Sequence, residues 1–519
     1  MKNSPISALF LLIALLAVAC QGPSVSSPAS TLTSVESQRI KVITSGGFTA
    51  AFNILGPIFE QATGIEVITE YGSSMGGGPE SIPVSLARGE TVDILIFNGR
   101  AFNQLAQTGH IQTDSRVDLA RSVIGMAVRS GAPKPDISSR EAFIETLLTA
   151  DSIGYSASVS GTYLSNVVFP ALEIWDEIEP KTKRIVTERV ASVVARGEVE
   201  IGFQAMSEIL PIEGADFAGT IPDELQQVST VLAVITERAE NPEAAQRLVE
   251  FLSSEATATV IQSTGLMPMV DSLDSPSVSG ESQQIKVITS GGFTAAFNIL
   301  GPIFEQATGI EVITEYGSSM GDGPKSIPVR LARGETADIL ILNKPPLDEL
   351  ANAGHILSNS RVDLVRSVIG MAVRSGALKP DISSREAFIE TLLTADSIGY
   401  SASVSGTYLS NVVFPALEIW DEIEPKIKRI VTERVASVVA RGEVEIGFQQ
   451  ISAILPIEGA DFAGTIPGEF QQPSTFSAGI MEKSENSQIA QRLIEFLSSD
   501  AVGAIIESTG LRPVVWEKD

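Results

Sequence analysis

Three short turns in the first half of the chain carry most of its hydrogen-bonding chemistry: Thr44-Ser45-Gly46-Gly47, Gly72-Ser73-Ser74, and Ser156-Ala157-Ser158-Val159-Ser160-Gly161-Thr162. Glycine lets a backbone come close to a ligand, and serine adds a hydroxyl that donates or accepts. Each turn follows a run that reads as a strand and precedes one that reads as a helix. Main-chain N–H groups at a helix N-terminus carry partial positive charge and bind anions without a formal cation. One such turn is ordinary α/β turn chemistry, whereas three in matched contexts point to a small-ligand cleft.

Other chemistries find little support. His110 and His355 each sit in a Gly-His-Ile setting with no Cys or second His nearby, which reads as a surface histidine and not a metal ligand. With only those two histidines, no Ser-His-Asp order can be assembled. Ser45-Gly46-Gly47 lacks the later glycine and the acidic ribose partner of a nucleotide fingerprint. Arg184, Arg189 and Arg196 read as exposed helix or strand ends, and Glu198 and Glu200 as the solvent face of a strand. The expectation is a binding protein without metal, cofactor or catalysis.

The turns need elements to hold them. Residues 41–44 and 66–69 are short Val/Ile-rich strands separated by a helix-length segment, which calls for a parallel β-α-β unit. Helix N-termini then stand at the carboxyl ends of the strands, where open α/β sheets bind ligands. Further along, strand and helix alternate: strands at 93–97, 122–128, 152–155, 184–186, 200–203 and 230–235, and helices at 82–88, 102–107, 140–148, 163–172 and 189–196. Ser138 is the expected N-cap of the helix at 140–148, with Glu141 in capping-box spacing. Asn241 and Pro242 open a closing helix with Leu248, Phe251 and Leu252 as its apolar stripe. The pattern predicts α/β lobes with mostly parallel sheets. Gly56-Pro57 breaks one local rule by lying inside the first helix, where a kink is expected.

Everything then repeats. Lys41 recurs at Lys286, an offset of 245 residues that also carries His110 onto His355, Tyr155 onto Tyr400 and Gln204 onto Gln449. Residues 40–76 return unchanged at 285–321, as do 134–181 at 379–426 and 183–204 at 428–449. So long a period is a whole domain, since solenoid units run to about 50 residues. The organisation predicted is residues 1–20 as a leader, 21–37 as a Ser/Thr/Pro-rich tether, 38–270 as copy one, 271–282 as a polar linker, and 283–519 as copy two.

A net charge of −27 excludes a nucleic-acid surface, and 44% apolar residues suffice for packed cores. The single cysteine, Cys20, excludes disulfides within the chain. It closes a short apolar run after Lys2 that reads as a signal-peptide core, too short to span a bilayer. Leu16-Ala17-Val18-Ala19-Cys20 resembles a bacterial lipobox, which implies acylation of the Cys20 thiol and a membrane tether.

The segments KVITSGGFTAAF, EVITEYGSSMG, SLARGETVDILIFN, SIGYSASVSGTYL and EVEIGFQ together resemble the molybdate-binding type of periplasmic substrate-binding protein, in each copy and over nearly its whole length. The resemblance implies an α/β fold of tandem type 2 periplasmic-binding-protein-like domains, each of two α/β lobes joined by a hinge and closing on a ligand. It implies a tetrahedral oxyanion held by hydroxyls and main-chain amides, and delivery to an ABC permease. Ser74 and Ser319 fall where the family uses a second-loop serine, beside Ser73 and Ser318. The first-loop serine falls on Gly47 and Gly292, with Ser45, Gly46, Ser290 and Gly291 alongside. Ser160-Gly161 and Ser405-Gly406 occupy the place of an amide donor, as do Val190 and Val435. A family tyrosine is replaced by Ala205 in copy one and Gln450 in copy two. These departures leave the ligand as a small anion or small polar solute.

The copies also differ at Gly77 and Asp322 and at Glu80 and Lys325, which predicts two sites that differ in affinity or in ligand. The expected function is an extracytoplasmic, lipid-anchored solute-binding protein of an ABC importer. The alternative is a module that presents its bound solute to a receptor kinase or surface partner.

Overall fold

The computed structural model describes residues 38–75, 78–270, 283–320, 323–431 and 433–514. The expected leader with Cys20, the tether, the linker at 271–282, and the Gly77 and Asp322 pair lie outside those residues.

Copy one opens with β1 (Arg39–Thr44) and α1 (Gly46–Thr63). Phe48, Phe52, Leu55, Phe59 and Ala62 recur at three- and four-residue spacing, form one face of α1, and are buried. Gly64 ends the helix in the left-handed region, at φ 75°, with its N–H on the Glu60 carbonyl. The Gly56-Pro57 step does not interrupt α1. Pro57 lies on the exposed face together with Asn53, so the carbonyl that loses its helical partner meets water.

The chain continues through β2 (Glu66–Tyr71), α2 (Ile82–Ala87), β3 (Ile94–Asn98), α3 (Phe102–Gln107) and β4 (Val117–Ser122). It then crosses to a second lobe of β5 (Ile124–Arg129), α4 (Arg140–Thr149), β6 (Ile153–Ser156), α5 (Val159–Tyr163), α6 (Phe169–Ala171), α7 (Trp175–Ile178), β7 (Thr182–Ile185), α8 (Val190–Ala195), β8 (Ile201–Ala205), α9 (Met206–Ile209) and β9 (Ala215–Thr220). It returns as β10 (Ser229–Ile235), α10 (Pro242–Leu252), α11 (Glu255–Ser263) and β11 (Met267–Pro268). The first-lobe sheet has the order β11-β4-β10-β3-β1-β2, the second β7-β6-β8-β5-β9, and copy two repeats both sheets.

The sheets are mixed, which corrects the expectation of mostly parallel strands. β1 runs parallel to β2 and β3, and β6 parallel to β7 and β8, but β10 is antiparallel to β3 and β4, and β5 to β8 and β9. The parallel strands end at the gap between lobes. A strand arriving from the other lobe starts there and must run the opposite way. Two local expectations also shift. The cap of α4 is Ser139, whose Oγ accepts the Ala142 N–H at 3.2 Å, because Asp136 holds the Ser138 N–H in the preceding turn. The helix expected at 163–172 already begins at Val159, and passes through a wide π turn at Leu164–Val168.

The first lobes of the two copies share one continuous apolar core. α1 packs on its own copy, the helix Thr294–Thr308, and on Ser487–Leu497, while α10 and α11 pack on Thr294–Thr308. The arrangement is reciprocal. Arg247 donates to the Ala307 carbonyl at 3.1 Å, and its counterpart Arg492 to the Ala62 carbonyl at 3.0 Å. This self-complementary pattern is that of a two-fold interface, built here within one chain.

Candidate functional site

Two crossovers join the lobes of copy one, between β4 and β5 and between β9 and β10. Gln226 ties them together: its Oε1 accepts the Ile124 N–H at 2.7 Å, and its Nε2 donates to the Ile124 carbonyl at 3.0 Å. Gln471 does the same to Ile369 in copy two.

On the first-lobe side, the predicted loops meet at the carboxyl ends of β1, β2 and β3. The Ser45 N–H donates to the Ile96 carbonyl at 2.8 Å. Ser74 Oγ accepts the Asn98 N–H at 3.0 Å, as Ser319 accepts that of Asn343 at 3.2 Å. Ser73 and Ser318 turn back on their own loops, donating to the carbonyls of Met75 and Met320. Ser290 Oγ is buried with no protein partner among the described residues. Gly46 and Gly47 are the first residues of α1, whereas Gly291 and Gly292 form a turn before the corresponding helix.

On the second-lobe side, the hydroxyls of Ser156, Ser158 and Ser160 lie within 2.6 to 3.2 Å of one another. Gly161 makes this possible, since a Cβ there would fall 1.7 Å from the Ser156 carbonyl oxygen. Ser401, Ser403, Ser405 and Gly406 repeat the arrangement. Gln204, next to the last residue of the adjacent strand β8, is fully buried, and its Oε1 accepts the Ala191 N–H at 3.2 Å. In copy two Gln449 takes the Val435 N–H at 2.7 Å, so the amide expected to face a ligand is already engaged there. Among the described residues, the Nε2 groups of Gln204 and Gln449 are buried without a protein acceptor, and the hydroxyls of Ser122 and Ser367 at the first crossover are buried without a protein partner. A buried donor left unpaired costs about 1 to 3 kcal/mol, so these groups favour a ligand acceptor. Sequence reading passed over Gln204 and Ser122 because nothing local marks a strand-end residue as unpaired.

The lobes touch through α9. Ser207 Oγ donates to the Gly47 carbonyl at 3.1 Å, and Ser452 to that of Gly292 at 3.3 Å. Beside Ser207, the half-buried Glu208 reaches the first loop, where a Cβ added to Gly46 would stand 2.8 Å from its Oε1. Burial pushes the Glu208 carboxyl above its ordinary value, and the charge of Arg189 draws it part of the way back. Arg189, the residue before α8, is half-buried, whereas Arg196 pairs with Glu188 and Glu198. Glu208 escaped the sequence reading, although copy two carries Ala453 at its position. Ala205, where the tyrosine was missing, and Gln450 end the corresponding strands, half-buried, just before the α9 segments.

The loops at the strand ends, facing across a pinned double crossover, define a two-lobed solute-binding module, present twice. The family model described as bacterial extracellular solute-binding protein matches residues 40–267 and 285–512. The chain belongs to that family. Aconitate isomerase of Pseudomonas sp is 40% identical over 242 residues, which are 47% of this chain and 89% of that protein. The periplasmic molybdate-binding protein of Azotobacter vinelandii is similar at 20% identity with a TM-score of 0.36, over 44% of this chain and 98% of that one. The sulfate-binding protein SubI of Mycobacterium tuberculosis H37Rv is similar at 17% identity with a TM-score of 0.36, over 45% and 87%.

The isomerase overturns the expectation of a chain without catalysis, since a relative of that extent is an enzyme. The expectation failed for a physical reason. It rested on the lack of a local cluster of catalytic residues, whereas a single side chain placed by folding can act as a general acid or base.

Proposed function

We propose that the chain captures a small unsaturated polycarboxylate of the aconitate class between the lobes outside the cytoplasm, and interconverts its double-bond isomers. The observation that carries this reading is the 40% identity to aconitate isomerase across a whole copy. The chemistry of the cleft agrees with it. Hydroxyls at Ser156, Ser158 and Ser160, the amide of Gln204 and the guanidinium of Arg189 are all suited to carboxylate oxygens, and hydrogen bonds to a charged group contribute about 1.5 to 3 kcal/mol each. Ser45, Gly46, Gly47, Ser74, Gly161 and Val190 supply the surrounding loops, with Ser290, Gly291, Gly292, Ser319, Ser405, Gly406, Val435 and Gln450 in copy two. Acylation at Cys20 would hold the chain at a membrane surface, and an ABC permease is the natural recipient of solute released from either cleft.

The test is calorimetric titration of the full chain with cis-aconitate, trans-aconitate, molybdate and sulfate, with proton NMR of the aconitate samples over time. Binding of aconitate in preference to the inorganic anions, with conversion of one isomer to the other, is expected. Tight molybdate binding with no response to either aconitate would overturn the reading.

A further inference from the structure

We propose that Glu208 is the proton-carrying group of copy one, and that copy two, which lacks it, binds without chemistry. This rests on the reading of the cleft as a site for an aconitate-class anion.

The geometry places one carboxyl at the seam of the lobes. Ser207 pins α9 to the first loop through the Gly47 carbonyl, and the next side chain, Glu208, extends over Gly46. Gly46 has no side chain to obstruct it. Copy two keeps the pin, with Ser452 on the Gly292 carbonyl, so its backbone holds the same course. What changes is the group carried there. Residues 183–204 and 428–449 are identical, and then Ala205-Met206-Ser207-Glu208 gives way to Gln450-Ile451-Ser452-Ala453. A Cβ added to Gly291 meets nothing within 4 Å among the described residues. The first loop differs in a second way: Phe476 replaces Val231, and a Cβ on Gly292 would come within 1.9 Å of its ring, against 3.6 Å from Val231 at Gly47. Beside a first loop whose own residues are identical in the two copies, these two substitutions mark the copies as different in use.

The reaction such a carboxyl supports is a proton shift along three carbons. In its ionised form Glu208 takes a proton from the CH2 carbon next to the double bond. The electron pair of that C–H bond spreads over the three-carbon unit and its conjugated carboxylate. Glu208 then returns the proton to the far carbon. One C–H bond breaks, another forms, the double bond moves by one position, and no oxidant or further reactant is needed. Proton transfer by a placed side chain contributes about 100-fold to 10,000-fold in rate.

The test compares the full chain with its Glu208→Gln and Glu208→Asp variants. Three readouts apply: isomer conversion by proton NMR, deuterium uptake from solvent at the CH2 carbon, and aconitate binding by calorimetry. In Glu208→Gln, conversion and deuterium uptake should fall about 100-fold or more with binding retained, and Glu208→Asp should recover part of both. Unchanged turnover in Glu208→Gln would overturn the assignment of Glu208 and leave the aconitate reading standing. If the unaltered chain binds aconitate but neither converts it nor exchanges its protons, both the assignment and the isomerase reading fall, and a purely binding site is left. If it does not bind aconitate, the aconitate reading itself fails and the assignment with it.

Discussion

Arg492, near the end of the chain, donates from Nη2 to the main-chain carbonyl of Ala62, near its beginning, at 3.0 Å. Both Arg492 and its counterpart Arg247 are exposed, so each contact is worth at most about 1 kcal/mol. The shared core between the first lobes stabilises the pair more, since each fully buried large apolar side chain contributes about 1.5 to 3 kcal/mol. A protease site placed at residues 271–282 and cut in the folded chain should therefore leave the halves travelling together in gel filtration, even with Arg247→Ala and Arg492→Ala. Separation of the halves after the cut would show that the linker, and not the core, holds them.

The hinge gives a second prediction. Gln226 satisfies both the N–H and the carbonyl of Ile124 where the chain first enters the second lobe. Gln226→Ala leaves the Ile124 N–H without its partner in a part-buried setting, while the carbonyl keeps the Ile221 N–H at 3.2 Å, at a cost of about 1 to 3 kcal/mol. Thermal unfolding should shift downward, and amide exchange should rise at Ile124 while staying unchanged at the equivalent Ile369. Equal exchange at the two positions would show that Gln226 does not clamp the hinge.

Much of this was legible in the residues. The periodicity of α1, the β-α-β opening and the long duplication are patterns that the residues carry on their own, and the loops Ser45-Gly46-Gly47 and Ser73-Ser74 stand where they were expected. Features that depend on the lobes meeting were not. β9 (ADFAGT) has no apolar run to announce it, because its side chains are only half-buried. The antiparallel entry of β5 and β10 follows from which lobe the chain comes from, which no local window contains. Glu208 matters only because folding brings it to Gly46, and the one clue in the sequence was its replacement by Ala453 beside a block that the duplication keeps unchanged.

Glycine substitutions should separate the copies. In copy one, Gly46→Ala places a methyl 2.8 Å from Glu208 Oε1, the free end of a flexible side chain, which moves at small cost. In copy two, the Gly291→Ala methyl meets nothing within 4 Å among the described residues. Both variants should keep their unfolding free energy within about 0.5 kcal/mol. Conversion of aconitate should fall in Gly46→Ala and remain unchanged in Gly291→Ala. Equal loss in both would place the chemistry in both clefts, or in neither loop.

The pH dependence of stability should carry the signature of Glu208. Its carboxyl lies above the ordinary glutamate value of about 4.3 because burial disfavours the charged form more than Arg189 favours it. In that situation the folded state binds the proton more tightly than the unfolded state. The stabilisation is complete below the unfolded value and is lost as pH rises through the folded one. Unfolding midpoints of the unaltered chain and of Glu208→Gln, followed from about pH 4 to 8, should therefore converge or favour the unaltered chain at the acid end. Above the folded value the unaltered chain should fall behind, because an ionised group is then held in a place that resists charge. Parallel curves across the range would mean that Glu208 titrates as it does in water, and that the seam between the lobes is open to solvent.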